Sequence, residues 1–441
     1  MLKYIQIAIG VIITSFYFFP FEFTFLPGVN TKMAMAGIGL VVLGFQLGKA
    51  KNSLLNKDLM LLSGYALLVS LIGFISVTYN ETRDYSYATY IVSMWVWLSA
   101  AYVAVMYMRK VHGYVSVELV CNYLIAVCVF QCVSALLIQY VPLFKSVVNE
   151  YIGTMSGMLR GTASALNDRG RLYAIGAALD ISGSRFASVL YLIGYLCVKN
   201  KNTMPHSHQW LYTISFFIIC VIGNMIARTT IVGVFVVIAY FTFDVLWHKC
   251  LHVDVSYFRP FLIVGVCSTI LINYLYTHNG MFYDNVRFAF EGFFYLYEQG
   301  VWNTNSTNIL ENMYRLPETT KTWLIGDGYF DNPTTDPYYV GHMWKGFYMG
   351  TDVGYLRFVF YFGLSGLCAF IGFICKATHL CIKRQKSCVG LFMGIFVLNF
   401  LVWLKVSTDL FLIMALFIAS LYLNDASSPN VSCAEKEHIT E

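Results

Sequence analysis

Apolar runs long enough to cross a lipid bilayer recur along the whole chain and constrain its fold more than any other feature. The hydrocarbon core of a bilayer is about 30 Å thick, so a crossing helix needs about 20 mostly apolar residues. Twelve runs approach this length, although several are short: 4–19, 33–47, 59–77, 90–108, 119–141, 186–198, 210–226, 231–247, 261–276, 353–375, 389–404 and 410–423. The sequence predicts an all-α polytopic membrane protein with about twelve transmembrane helices.

The composition indicates the same class of protein. Hydrophobic residues make up 58% of the chain and charged residues 12%, whereas a soluble globular domain carries about 25% charged residues. Residues 1–424 are therefore predicted to form a single transmembrane domain. The polar residues 425–441 are predicted to form a cytoplasmic tail.

Basic residues in the short loops predict the orientation of the chain. Thirteen lysines and arginines fall in the loops on one side of the predicted bundle, and four fall in the short loops on the other. Because cytoplasmic loops carry the excess of lysine and arginine, the richer side is assigned to the cytoplasm. Both termini are then inside, and the two long loops, 142–171 and 277–350, are outside.

The basic residues on the two sides also differ in kind. Ten of the thirteen inner residues are lysine, whereas nine of the fourteen basic residues assigned to the outer side are arginine. Lysine is sufficient for topology, but the planar guanidinium binds phosphate or carboxylate through two parallel hydrogen bonds. The bias predicts an anionic ligand on the outer side. For any single arginine, pairing with a loop carboxylate or a lipid headgroup is the alternative.

Arg228 is the most informative of these arginines. It lies in the segment GNMIARTTIVG, where only a few residues can form the turn between the runs 210–226 and 231–247. Charges at a membrane boundary are costly and usually functional, so Arg228 is predicted to bind the ligand. The alternative is that its side chain extends to the lipid headgroups.

The segment 160–185 concentrates charge beside an apolar run. Its four arginines, all candidate ligand-binding residues, are Arg160, Arg169, Arg171 and Arg185. Asp180 and Arg185 interrupt the run, so each is expected to pair with the other or with groups on other helices. A structural ion pair and a ligand contact are both compatible with these two residues, whereas Arg169 and Arg171 are predicted to contact the ligand.

The segment 323–367 joins an acidic, turn-rich stretch to an apolar run. Asp352 and Arg357 lie near the start of that run. Asp352 could act as a general base on a hydroxyl group, or it could cap the helix that follows. Arg357, another candidate ligand-binding residue, is five positions further on and is expected to face different partners. His342 is a second candidate for the base, with an ordinary surface histidine as the alternative.

Aromatic residues dominate the segment 282–301, FYDNVRFAFEGFFYLYEQGV, in which Arg287 and Glu291 have helical i, i+4 spacing. The pattern favours a helix lying in the membrane interface. A lid or an aromatic platform for sugar rings is the alternative.

Several motifs of soluble enzymes are absent from the sequence. It contains no Walker-type loop, no G-x-S-x-G and no H-E-x-x-H motif, and no dinucleotide-binding fingerprint. The cysteines lack metal-ligand spacing. No metal and no cofactor are therefore predicted. The energy for a phosphate- or sugar-transfer reaction would have to enter with the substrate, for example as a lipid-linked pyrophosphate.

Four segments together resemble the O-antigen polymerase and O-antigen ligase superfamily of bacterial inner membranes: RGRLYAIGAALDISGSRF, NMIARTTIVG, WLIGDGYF and GTDVGYLRFVFYFGLSGL. Each motif is loose, and their order and spacing over most of the chain carry the resemblance. It implies a multi-pass C-type glycosyltransferase without metal or nucleotide, whose active site faces the periplasm. It further implies that Arg171 and Arg228 hold the pyrophosphate of an undecaprenyl-linked donor, while a general base deprotonates the acceptor hydroxyl.

The resemblance also bears on the partners and on the subfamily. The expected partners are a lipid-linked oligosaccharide donor and acceptor, with a flippase and a chain-length regulator as further candidates and no nucleic acid. Ligases usually carry a His-Asn pair where this chain has Thr351 and Asp352, which favours a polymerase over a ligase. The base is left open between Asp352 and His342. A transporter, the third hypothesis, would place charges near mid-membrane on broken helices.

Overall fold

The structure is a computed structural model that describes residues 2–49, 53–155, 158–159, 170–201, 203–247, 255–334, 336, 339–344 and 346–426. Two of the predicted ligand-binding residues, Arg160 and Arg169, lie outside the described residues. So do residues 427–441, which make up most of the predicted tail.

Seventeen helices occur in the described ranges, numbered α1 to α17 in chain order. Twelve coincide with the apolar runs: α1 (Leu2–Phe18), α2 (Thr31–Lys49), α3 (Ser53–Tyr79), α4 (Tyr90–His112), α5 (Val117–Tyr140), α7 (Leu179–Lys199), α8 (His206–Ile226), α9 (Ile231–Trp247), α10 (Val255–His278), α15 (Gly354–Arg384), α16 (Val389–Val402) and α17 (Phe411–Ala426). The other five are short: α6 (Pro142–Tyr151), α11 (Gly280–Ala289), α12 (Glu291–Gln299), α13 (Asn305–Glu311) and α14 (Thr320–Leu324).

The number of spans was predicted wrongly. Over the described residues, seven helices are long and apolar enough to cross a membrane: α3, α4, α5, α7, α8, α10 and α15. The other five helices that coincide with apolar runs are not in this group; α16, for example, has 14 residues. At a rise of 1.5 Å per residue such a helix covers about 21 Å, less than the hydrocarbon thickness. The protein is nevertheless an α-helical, multi-pass membrane protein.

A small antiparallel sheet, which the sequence did not predict, lies beside the helices. Its strands are β1 (Phe21–Phe23), β2 (Ile152–Met155) and β3 (Met158–Leu159), in that order. The predicted outer loop 142–171 therefore contains α6 and two strands. The sheet connects this loop to the link between α1 and α2, over a small cluster that includes Ile138 and Val148.

Helix α15 is interrupted within its apolar run, at Phe362 and Gly363. The segment that follows α14 fills the break: the backbone N–H of Asp327 donates to the carbonyl of Phe360 at 2.6 Å, and that of Gly328 donates to the carbonyl of Tyr361 at 3.1 Å. Backbone groups released inside a membrane protein must find partners within the protein. Residues 323–328, with the sequence WLIGDG, therefore supply hydrogen-bond donors that α15 lacks at its break.

Glycine is required on both sides of this contact. Gly363 has a φ of +69°, and a Cβ atom placed there would lie 2.3 Å from the backbone of Leu324. Gly326 has a φ of +87°, and its Cβ atom would lie 2.5 Å from the carbonyl oxygen of Tyr361. The backbone around Gly326 therefore packs directly against the backbone around Gly363, and neither position has space for a side chain.

We expect Gly363→Ala to destabilise the protein by about 2 kcal/mol or more, because alanine is strained at positive φ and would clash with Leu324. Thermal unfolding in detergent measures the effect. Gly64→Ala in α3 is the matched control, since nothing lies within 4 Å of a Cβ atom at that position. Equal unfolding temperatures for the two variants would contradict this account of the helix break.

Candidate functional site

A cavity of about 820 Å³ lies at the end of the bundle where α7 and α15 begin and α8 and α16 end. The bundle contributes five charged residues to it: Arg171, Asp180, Arg228, Asp352 and Lys405. The long loop forms the opposite wall through α11, α12 and α13, with Asp284, Arg287, Phe288, Glu291, Phe294, Tyr295, Asn305 and Ser306 among its lining residues. The cavity therefore has charged residues on both sides, and its loop side adds aromatic and uncharged polar residues.

Asp180, in the first turn of α7, connects the basic side chains of the bundle. Its Oδ1 accepts a hydrogen bond of 2.8 Å from the hydroxyl of Thr229. The same oxygen lies 3.8 Å from the guanidinium of Arg171 and 3.6 Å from Nζ of Lys405. One carboxylate thus holds side chains from three separate parts of the chain. Of the two alternatives predicted for Asp180, pairing with Arg185 or with groups from other parts of the chain, the structure has the second.

Arg171 lies along the end of α8. Its Nε donates to the carbonyl of Ile226 at 2.8 Å, and the next backbone N–H, of Leu172, donates to Met225 at 3.0 Å. Burial lowers the pKa of Arg171, and the nearby charge of Asp180 opposes that shift. An arginine remains protonated in proteins despite such shifts. These contacts fix the base of the side chain, and a terminal amino group points to Asp180.

Arg228 begins a short 3₁₀ turn between α8 and α9, in agreement with the predicted tight turn. Its guanidinium lies 4.3 Å from the centre of the Phe288 ring and forms an ion pair with Glu291. The same ring lies 5.6 Å from the guanidinium of Arg171. Both arginines therefore contact one aromatic side chain of the long loop, which places their charges close together.

Asp352 lines the same cavity, and its predicted capping role is wrong. The residue before the first turn of α15 is Val353, and no side-chain hydrogen bond caps the helix. Within the part of the chain that the structure describes, the carboxylate of Asp352 has no hydrogen-bond partner. Burial raises its pKa to about 6, with a further contribution from the charge of Asp180. Asp352 is thus a group that can accept a proton near neutral pH.

Arg357 faces away from the cavity and holds the long loop to α15. Its guanidinium lies between the rings of Phe330 and Phe347, at 3.7 and 3.6 Å from their centres. It also donates to the carboxylate of Asp331 at 2.9 Å. Arg357 is therefore not among the residues that line the cavity, as a ligand-binding residue would be.

Arg185 and His342, two further candidates, do not line the cavity either. Arg185 is buried within α7, where its guanidinium donates to the carbonyl of Phe18. His342 is exposed, and its ring packs against that of Trp344 at 4.5 Å. Arg171, Arg228 and Asp352 are therefore the candidates that the structure brings together.

Lys405 and Glu291 belong to the site but were not assigned to it from the sequence. Lys405 is one of only four basic residues in the short outer loops, a signal that could have identified it. The i, i+4 spacing of Arg287 and Glu291 is misleading, because Phe290 separates α11 from α12. Arg287 pairs with Glu298 instead, and Glu291 contacts Arg228.

The aromatic segment 282–301 forms α11 and α12 rather than one continuous helix. Phe288, Phe294 and Tyr295 from these helices line the cavity. The segment therefore forms one wall of the cavity, and its predicted place in the membrane interface stays a prediction.

Comparisons of the chain with protein-family models, with curated proteins and with solved structures found no match. The chemistry of the site is therefore read from its own side chains. Arg171, Arg228 and Lys405 can bind an anion, and Asp352 can take up a proton. Both groups of residues open into one cavity.

Proposed function

We propose that this protein is an integral-membrane glycosyltransferase that joins oligosaccharide repeat units carried on undecaprenyl pyrophosphate, at the periplasmic face of a bacterial inner membrane. One observation carries the proposal: a single cavity brings the basic side chains of Arg171, Arg228 and Lys405 together with the carboxylate of Asp352. Transfer of a sugar from a diphosphate to a hydroxyl group requires both. The basic residues bind the leaving group, and the carboxylate accepts the proton of the incoming hydroxyl.

In this proposal the donor diphosphate lies between Arg171, Arg228 and Lys405. Negative charge builds up on the diphosphate as its bond to the sugar breaks. Hydrogen-bond donors oriented before the reaction stabilise such charge more than mobile ones. Asp180 supplies that orientation, because it contacts Arg171 and Lys405 and bonds the turn that carries Arg228. Undecaprenyl pyrophosphate then departs with the electrons of the broken bond.

Asp352 acts on the acceptor in the same step. Its carboxylate takes the proton from a hydroxyl of the acceptor sugar, and the oxygen forms a bond to the anomeric carbon of the donor. The aromatic wall formed by Phe288, Phe294 and Tyr295 lies beside the sugars in this arrangement. A volume of about 820 Å³ is in the upper range of small-molecule sites, so the reacting ends of both substrates can be present together.

The break in α15 favours a transporter, since transporters often bind their substrates at interrupted helices. Here the backbone N–H groups of Asp327 and Gly328 donate hydrogen bonds to the carbonyl groups at the break. The charged residues of the proposed site lie instead in the cavity at the end of the bundle. This arrangement supports an enzyme acting at the membrane surface.

A gene deletion in the native host, complemented by variants, tests the function through the pattern of glycans on a gel. We expect the deletion to leave single repeat units and the wild-type gene to restore the long ladder. Arg228→Lys should not restore the ladder, because lysine keeps the positive charge but lacks the planar guanidinium group that binds phosphate through two parallel hydrogen bonds. The control, Arg259→Lys, changes an exposed arginine in α10 and should restore it.

Immunoblots of the membranes must first show equal amounts of the wild-type and variant proteins. Each glycan pattern that differs from the expected one then supports a different conclusion. A full ladder with Arg228→Lys would remove the diphosphate contact from the mechanism. Loss of all attached glycan in the deletion would indicate a ligase. An unchanged pattern in the deletion would favour the transporter.

The role of Asp352 predicts a pH dependence. Its raised pKa keeps the carboxyl protonated, and unable to act as a base, below about pH 6. With purified protein and lipid-linked repeat units, the turnover of the wild type should fall about tenfold per pH unit below that value. Asp352→Asn should lower kcat by about 100-fold, with little change in KM and no such slope. A wild-type pH profile in the variant would exclude Asp352 as the base.

A further inference from the structure

Arg228 is occupied in this structure by a carboxylate of the protein itself. Glu291, the first residue of α12, forms an ion pair with the guanidinium through one carboxylate oxygen. Its other oxygen accepts a weak hydrogen bond, at 3.4 Å, from the backbone N–H of Asn305 at the start of α13. A carboxylate and a phosphate oxygen bind a guanidinium in the same way. Glu291 therefore fills the position on Arg228 that a phosphate group would take.

The basic side chains around this contact already have carboxylate partners. Asp180 is the partner of Arg171 and Lys405, and Glu291 is the partner of Arg228. If Glu291 leaves, Arg228 loses its carboxylate partner, and its positive charge can attract a phosphate group instead.

The geometry also separates ligands with one phosphate from ligands with two. Arg171 and Arg228 contact the same Phe288 ring, at 5.6 and 4.3 Å from its centre, and both line the same cavity. A single phosphodiester would exchange one negative charge for another on Arg228 and leave Glu291 without its partner. A diphosphate replaces Glu291 with one phosphate and gains the attraction of Arg171 and Lys405 with the other.

We infer that Glu291 is a specificity-determining residue. Its ion pair with Arg228 can be displaced by diphosphate lipids but not by the singly charged phosphodiester headgroups of ordinary membrane phospholipids. The inference rests on the proposed function and specifies how the same cavity selects its ligand. Selection matters in a membrane, where phospholipids vastly outnumber any lipid-linked sugar. Glu291 follows the break between α11 and α12 at Phe290, a position at which the chain can turn the carboxylate away.

A competition assay in detergent tests the inference with two defined probes. Radiolabelled undecaprenyl diphosphate is bound to the purified protein and displaced with dihexanoyl phosphatidylglycerol, which carries one phosphodiester. We expect the phospholipid to compete poorly with the wild type. With Glu291→Gln it should compete at least about tenfold better, because the charged competitor for Arg228 has been removed. Glu291→Asp keeps the charge and should keep the discrimination.

Glu298→Gln is the matched control, because Glu298 lies on the same helix but pairs with Arg287. It should discriminate as the wild type does. Size-exclusion chromatography checks the fold of each variant, and Glu291→Ala replaces Glu291→Gln if the latter is not monodisperse.

The outcomes separate this inference from the proposed function. If the wild type does not bind undecaprenyl diphosphate, the proposed function fails. If it binds the diphosphate and a folded neutral variant at position 291 still rejects the phospholipid, the role of Glu291 is wrong and the proposed function stands. Equal loss of discrimination in Glu298→Gln would also overturn the role of Glu291.

Discussion

The contacts of the Asp180 carboxylate hold the basic side chains of the cavity in place. A partly buried aspartate needs compensating partners, and it receives them from the segment before α7, the turn after α8 and the loop after α16. These three places are far apart in sequence and meet because the corresponding helices end at one face of the bundle. As a result, the side chains of Arg171 and Lys405 and the turn that bears Arg228 are held in place before any ligand arrives. Preorganisation of this kind makes a charged site effective for catalysis.

A second constraint positions the opposite wall. The loop that carries α11 to α13 returns to the bundle through the break in α15, where Asp327 and Gly328 take over hydrogen bonds that the helix has lost. Arg357 holds the next turn of the loop through Asp331 and two aromatic rings. An arginine that the sequence marks as a candidate for ligand binding can thus have a structural role instead. Arg357 fixes the loop, and Arg185 binds a backbone carbonyl inside the bundle.

Much of the site could be predicted because charged residues stand out between apolar runs. Arg171, Arg228 and Asp352 were identified in this way, and the apolar runs located twelve helices. The number of helices long enough to span a membrane was harder to predict, because the apolar character of a segment does not determine where its helix ends. The helical spacing of Arg287 and Glu291 also favoured one helix, whereas the chain forms two that are separated at Phe290. The contact between Glu291 and Arg228 joins residues 63 positions apart, and no local pattern indicates it.

A cryo-electron microscopy structure of the protein with undecaprenyl diphosphate would show whether the basic side chains around Asp180 bind a diphosphate. We expect density for two phosphates within hydrogen-bond distance of Arg171, Arg228 and Lys405, with Glu291 withdrawn from Arg228. Diphosphate bound elsewhere on the protein, with the pair of Arg228 and Glu291 intact, would contradict this expectation.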